Sequence, residues 1–144
     1  MGKFEFKKCA DIEGLYVVQP YIYEDERGYN FEAYNESDFK QAGLDMKFVQ
    51  DNRSTSIKGV LRGLHFQRRY QQGKLVSVIR GKVFDVAVDI RKGSKTFGKW
   101  YGLILSAENR STINCHLCFT PPAVIILYDV SAGGSRYAES ELRL

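Results

Sequence analysis

The chain is poor in proline, histidine and cysteine, and it has no long apolar run. Three prolines in 144 residues leave no proline-rich linker, and neither repeat nor low-complexity segment divides the sequence, so residues 1–144 are expected to form a single domain. The cysteines number three, Cys9, Cys115 and Cys118. An odd count, with no signal-peptide pattern at the start, argues against a disulfide framework and for a reducing, cytoplasmic setting. Cys115-His116-Leu117-Cys118 has the spacing of half a zinc knuckle. Such a site needs a second ligand pair, which the sequence does not supply, so no metal is expected there. No apolar stretch reaches the ~20 residues that cross a bilayer, so no membrane contact is expected. The net charge is +4, with Lys and Arg scattered. Without a basic run or stripe, nucleic acid is not an expected partner. An anionic small molecule suits the same charge equally well.

What is abundant is aromatic and polar. Nine Tyr and nine Phe favour strands. Residues 14–23 read as a strand rich in branched and aromatic residues, with Pro20 marking an edge or a break. Asp25-Glu26-Arg27-Gly28 reads as a turn, with strand character from Tyr29 to Tyr34. Asn35 to Asp38 suits the cap of a short helix over Phe39–Ala42, stopped by Gly43. Lys74–Ile79, a turn at Arg80-Gly81, and Lys82–Ile90 read as a hairpin. In its second arm Phe84, Val86, Val88 and Ile90 share one face, while Val83, Asp85, Ala87 and Asp89 share the other. One face is expected to pack on the core and the other to carry the two carboxylates. Lys99–Leu105 reads as another strand, and Trp100 and Phe97 as core. Alternation fades over 110–122, Val124–Tyr128 reads as a further strand and Ser131–Ser135 as loop. Short strands, many turns and little helix indicate an all-β antiparallel sandwich or barrel.

The densest polar constellation is Arg62-Gly-Leu-His-Phe-Gln67, preceded by Phe48-Val-Gln-Asp-Asn52. It holds one of only two histidines. His65 and Gln67 are two apart and share a strand face. Gly59 followed by His65-x-Gln67 is similar to the metal-binding pattern of cupin barrels, but an amide replaces the second imidazole and Lys74 stands where further ligands would be sought. An amide is a poor transition-metal ligand and an ammonium is none, so the pattern points to a barrel without a metal. A metal-free imidazole, with an ordinary pKa of about 6.5 as a residue type, is available as a general base. Lys74 supplies a fixed positive charge. Together they suit abstraction of a proton beside a carbonyl, with the ammonium stabilising the enolate oxygen. Asp85 is placed to orient either group. Arg62 poses a geometric problem, because strict alternation puts it opposite His65. For both to reach one ligand, Gly63 must mark a bend or bulge. Tyr29 and Phe31 suit either stacking on a base or packing.

These residues, in this order, closely resemble the dTDP-4-dehydrorhamnose 3,5-epimerase family. The matching segments are Asp-Glu-Arg-Gly-Tyr (25–29), Phe-Val-Gln-Asp-Asn (48–52) and Gly-Val-Leu-Arg-Gly-Leu-His-Phe-Gln (59–67). Gln-Gly-Lys-Leu-Val (72–76), the run from Gly81 to Ser94, Thr-Phe-Gly-Lys-Trp (96–100) and Leu-Ser-Ala-Glu-Asn (105–109) continue it. The resemblance covers most of 10–109. It implies a cupin-like jelly-roll barrel, usually a homodimer, working without metal or organic cofactor. The implied reaction converts dTDP-4-dehydro-6-deoxy-D-glucose to dTDP-4-dehydro-L-rhamnose by epimerising C3 and C5, both next to the C4 ketone. His65 matches the base and Lys74 the enolate-stabilising residue. Arg27, Glu32, Gln50, Asn52 and Arg62 match positions that bind the dTDP-sugar. In family dimers the N-terminal part of one subunit contributes to its neighbour's site.

Residues 110–144 depart from the family pattern. The segments that carry the family's second substrate-binding histidine and its proton-donating tyrosine are not recognisable there, and neither is the acidic partner of the base, which lies later still. His116 and Tyr128 stand in surroundings that do not match, so they inherit neither role. A reading-frame change or a truncation near residue 110 would account for the abrupt loss. Missing late strands would leave sheet edges of the jelly roll unpaired, edges that Val124–Tyr128 or a dimer partner would have to cover. The rival functions are a non-catalytic nucleotide-sugar binder or inactive family member, and a sugar-nucleotide ketoisomerase.

Overall fold

In a computed structural model the described residues are 3–69, 71–115, 123–129 and 137–143. They form two facing antiparallel sheets, a small hairpin and one short helix, a cupin-like jelly roll. The elements in chain order are β1 (Phe4–Lys8), β2 (Leu15–Pro20), β3 (Tyr23–Asp25), β4 (Gly28–Asn30), α1 (Glu36–Gln41), β5 (Gln50–Ser56) and β6 (Leu61–His65). They continue with β7 (Lys74–Arg80), β8 (Lys82–Asp89), β9 (Trp100–Ser106), β10 (Thr112–Cys115), β11 (Ala123–Asp129) and β12 (Tyr137–Arg143). One sheet has the order β1-β2-β10-β7-β12-β5 and the other β6-β11-β8-β9, while β3 and β4 pair with each other.

Alternation along the strands builds two cores. Leu15 and Val17 of β2, Val76 and Val78 of β7, Val83 and Ala87 of β8, and Leu103 and Leu105 of β9 pack together between the sheets. The opposite face of the larger sheet packs Val18 and Leu75 against Phe39 of α1, Leu44 and Met46. Phe39 is fully buried, with Phe4, Phe6 and Tyr34 meeting it edge-on at 5.4, 5.1 and 4.9 Å. Burial of such a side chain stabilises by about 1.5–3 kcal/mol. The helix begins at Asn35, whose side chain accepts from the Asp38 amide at 3.2 Å, so it starts earlier than the span expected from the sequence.

Four expectations from sequence need correction. Lys74–Arg80 and Lys82–Asp89 are not a hairpin. Gly81, with φ of 82°, carries the chain from one sheet to the other, and β7 pairs instead with β10 and β12. A turn signal reports a reversal but not which sheet receives the next strand. The carboxylate face of β8 is the interior one. Asp85 and Asp89 are fully buried in the row with Val83 and Ala87, while Phe84, only half-buried, faces outward beside Ile104. Trp100 and Phe97 are exposed, at 62% and 59%, because Trp100 lies on that outward row and Phe97 on a loop. Finally, strand character does not reach Tyr34. β4 ends at Asn30, and Tyr34 turns inward, its hydroxyl donating to the Met46 carbonyl at 3.2 Å.

The tail supplies strands to both sheets. β10 lies between β2 and β7, β12 between β7 and β5, and β11 between β6 and β8, so these late strands are interior members of the sheets. Residues 116–122 and 130–136, including His116, Cys118 and the loop expected at Ser131–Ser135, lie outside the described residues.

Candidate active site

Partners directly opposite in an antiparallel ladder share a sheet face, so register fixes which residues line the space between the sheets. Across β11, His65 is level with Ala87 and Arg62 with Asp85. Ala87 and Asp85 are fully buried inward-facing residues. Both members of the Arg62/His65 pair therefore belong to the inner face of the smaller sheet. Strict alternation forbids this for residues three apart. The ladder permits it because two steps along β11, Ile125 to Leu127, correspond to three along β6, His65 to Arg62. The extra residue is a bulge, and Gly63 within it has φ of 115°. The bend expected at Gly63 is present.

The larger sheet contributes the opposite wall. Lys74 lies on the same strand face as Val76 and Val78, which pack between the sheets. Across β12, Lys74 is level with Gln50 and Val76 with Asn52. The Gln50 amide donates to Asn52 Oδ1 at 3.1 Å. Arg62 reaches over from β6: its Nε donates to Ser56 Oγ at 2.8 Å and its terminal nitrogen to the Thr55 carbonyl at 3.3 Å. That fork ties the edge strand of one sheet to the edge strand of the other. Ser56 gave no signal in the sequence as a partner for Arg62.

Six of the residues singled out from sequence thus belong to two facing inner surfaces: Gln50, Asn52, Arg62, His65, Lys74 and Asp85. Arg27 and Glu32 do not belong to either wall. Arg27 sits at the turn of the β3–β4 hairpin and forks onto Asp25, with contacts of 2.5 and 3.2 Å. Its guanidinium holds the Asp25 carboxyl below the ordinary range. It lines a surface depression with Tyr23, Glu24, Asp25, Tyr29 and Asn30. Glu32 accepts from Lys3 Nζ at 2.6 Å and from Asn35 Nδ2 at 3.2 Å, and the Lys3 contact lowers its carboxyl. Tyr128 is registered with Leu61 and Phe84.

A second buried constellation closes β8. Asp89 accepts from the Arg91 amide at 2.9 Å, from Arg91 Nε and its terminal nitrogen at 2.9 and 2.7 Å, from Ser94 Oγ at 2.7 Å and from Thr96 Oγ1 at 2.6 Å. Burial by itself raises a carboxyl, but these donors outweigh it and hold Asp89 far below its ordinary value. The network fastens the loop between β8 and β9. Among the described residues no group of three His, Cys, Asp or Glu side chains is arranged to hold a metal ion.

An imidazole and an ammonium on facing walls, with amides and a guanidinium beside them, suit proton transfer on an anionic, oxygen-rich ligand. Comparison with known proteins bears on the same residues. The sequence pattern of the dTDP-4-dehydrorhamnose 3,5-epimerase family matches residues 9–118. The chain belongs to the dTDP-4-dehydrorhamnose 3,5-epimerase family. The family member from Methanothermobacter thermautotrophicus is 56% identical over 110 residues, covering 76% of this chain and 59% of that protein. That from Escherichia coli is 50% identical over 106 residues. The chain spans little more than half the length of such relatives, 59%, 57% and 55% of three of them. The crystal structure of the Elizabethkingia anophelis epimerase superposes with a TM-score of 0.86 at 40% identity, covering 98% of this chain and 74% of that one. The Legionella pneumophila epimerase, solved in complex with dTDP-4-keto-L-rhamnose, gives 0.85 at 40% identity, covering 97% and 71%. The superposed fold includes β11 and β12, which lie beyond the residues that the family pattern matches. Among the described residues no helix is long and apolar enough to cross a membrane.

Proposed function

We propose that this chain is a dTDP-4-dehydrorhamnose 3,5-epimerase, an isomerase acting on dTDP-4-dehydro-6-deoxy-D-glucose. The single observation that carries this reading is the bulge at Gly63, which gives Arg62 and His65 one inner face. The ketone at C4 makes the hydrogens on C3 and C5 acidic. His65 removes the proton, and the Lys74 ammonium stabilises the negative charge that develops on the C4 oxygen. Asp85 orients the base and the cation. Reprotonation on the opposite face inverts the carbon and gives dTDP-4-dehydro-L-rhamnose. Arg62, Gln50 and Asn52 hold the nucleotide sugar, with its diphosphate drawn to the guanidinium. No step requires a metal or an organic cofactor.

In this reading residues 1–144 act as one domain of a cytoplasmic homodimer. The β3–β4 hairpin and the residues just after it bring Arg27 and Glu32 to the nucleotide in the neighbouring subunit's site, which accounts for their place outside both walls. Neither nucleic acid nor membrane takes part. A second reading, a nucleotide-sugar binder without turnover, is favoured by one feature: the family's tyrosine segment is not recognisable in the sequence, which leaves the proton donor of the second half-reaction unassigned.

The test is solvent exchange. The chain is incubated with the keto-sugar nucleotide in heavy water, and the C3 and C5 positions are followed by NMR. The epimerase incorporates deuterium at both positions and yields the L-sugar. His65→Ala slows incorporation by about a hundredfold or more, with dTDP affinity retained. Affinity for dTDP without any exchange in the unsubstituted chain overturns the catalytic reading in favour of the binder.

A further inference from the structure

Arg110 follows the Leu-Ser-Ala-Glu-Asn segment, and its setting is unusual. The turn that presents it is pinned from several sides. Asn109 Oδ1 accepts from the Ser106 and Ser111 amides at 3.0 and 3.2 Å, and Asn109 Nδ2 donates to the Ile104 carbonyl at 2.8 Å. Gln19 of β2 donates to the Asn109 carbonyl at 3.1 Å and accepts from Ser111 Oγ at 2.5 Å. Arg110 itself has φ of 51°, a left-handed conformation that costs a non-glycine residue energy unless the surroundings enforce it. The result is a side chain only 17% exposed, aimed at the β3–β4 hairpin. Its guanidinium carbon lies 3.7 Å from the centre of the Tyr29 ring, and a terminal nitrogen lies 3.9 Å from the Glu24 carboxylate. Tyr29 in turn stacks on Phe31, with centroids 6.0 Å apart and planes at 23°.

Tyr29 and Glu24 both line the depression that contains Arg27. A three-residue strand pair is marginal by itself, so its shape depends on what it leans against. We propose that Arg110 is a positioning residue: it clamps the β3–β4 hairpin to the turn between β9 and β10, and so fixes Arg27 and its neighbours in the arrangement that binds the nucleotide end of the substrate. This rests on the reading of Arg27 given above. The clamp acts on binding rather than on proton transfer, since the guanidinium meets Tyr29 and Glu24 of the hairpin.

The test compares Arg110→Ala, Arg110→Lys and Arg27→Ala in the full chain. Three quantities are read: dTDP affinity by calorimetry, the turnover number for deuterium incorporation at saturating keto-sugar, and amide hydrogen exchange over residues 23–30. Arg110→Ala weakens dTDP binding and raises KM about tenfold, leaves the turnover number within about twofold, and speeds exchange in the hairpin. Arg110→Lys recovers part of the loss, because it keeps the charge but not the planar stack. Should Arg110→Ala fail to fold, Tyr29→Leu removes the ring from the other side and is expected to give the same split. Unchanged dTDP affinity in Arg110→Ala beside weakened affinity in Arg27→Ala overturns the proposal and leaves the reading of the hairpin intact. Unchanged affinity in both overturns that reading, and the clamp's role in binding falls with it. Equal losses in turnover number and in KM also overturn the proposal, by making Arg110 a general structural residue.

Discussion

Arg62 and His65 stand three positions apart on one strand and nevertheless share its inner face, level with Asp85 and Ala87 on β8. The register shift that allows this is centred on Gly63, at φ 115°. An L side chain there is strained by about 1–3 kcal/mol. Gly63→Ala is therefore expected to lower the urea midpoint. It should also weaken dTDP binding, because relaxing the bulge turns either the guanidinium or the imidazole out of the cleft. An Ala variant that keeps both stability and affinity would show that the bulge is incidental to the site.

His65 and Lys74 are assigned to one chemical event, removal of a proton and stabilisation of the charge it leaves. Groups that act in a single step are not additive. Lys74→Gln should slow deuterium incorporation by about a hundredfold or more, and combining it with His65→Ala should cost little beyond either change alone. The single and double variants are compared by initial exchange rates, with dTDP affinity as the control. Fully multiplicative losses would separate the two residues into different steps.

Much of this site was legible before any coordinates. The motif around His65 singled out a residue that the ladder sets on the inner face, and the parity of Arg62 against His65 demanded an irregularity at the intervening glycine. Alternation in β8 separated its two faces correctly but not their destinations, since an enzyme cleft can bury carboxylates such as Asp85 as readily as it buries valines. The pairing of β7 was illegible for a different reason. Its neighbours, β10 and β12, come from the tail, and no local turn chemistry announces so distant a partner. Arg110 was missed because its partner Tyr29 is far away in sequence and a cation over a ring leaves no spacing pattern.

The Asp89 network carries a pH dependence whose sign follows from the direction of its shift. The folded carboxyl lies well below its ordinary value. Its contribution is therefore fully present above about pH 4, where the unfolded chain's carboxyl is ionised. As pH falls below that, protons bind the unfolded chain first, and the contribution is progressively lost. Asp89→Asn leaves Arg91 buried without its counter-charge and is expected to cost about 3–5 kcal/mol near pH 7. The variant should also show a flatter loss of stability between pH ~4 and ~2 than the unsubstituted chain. Urea unfolding at a series of pH values measures both. Parallel acid limbs would assign the acid sensitivity to other carboxylates.

Gly102 and Phe84 test the outward face of the smaller sheet independently of catalysis. Val86 is paired with Gly102, so the Phe84 ring lies diagonally across the bare backbone of β9. A Cβ added at Gly102 would meet Phe84 Cζ at 2.6 Å and Trp100 Cζ3 at 3.2 Å. The first contact is closer than carbon atoms tolerate and the second is tight, so the half-buried Phe84 ring has to move and Trp100 has to give slightly. Gly102→Ala is expected to destabilise by about 1–3 kcal/mol through overpacking. Phe84→Leu in the same chain should recover most of that loss by withdrawing the ring, even though Phe84→Leu alone is destabilising. Thermal unfolding of the two single variants and the double variant decides. If Phe84→Leu fails to compensate, the penalty at Gly102 comes from the backbone or from Trp100 and not from the ring that covers it.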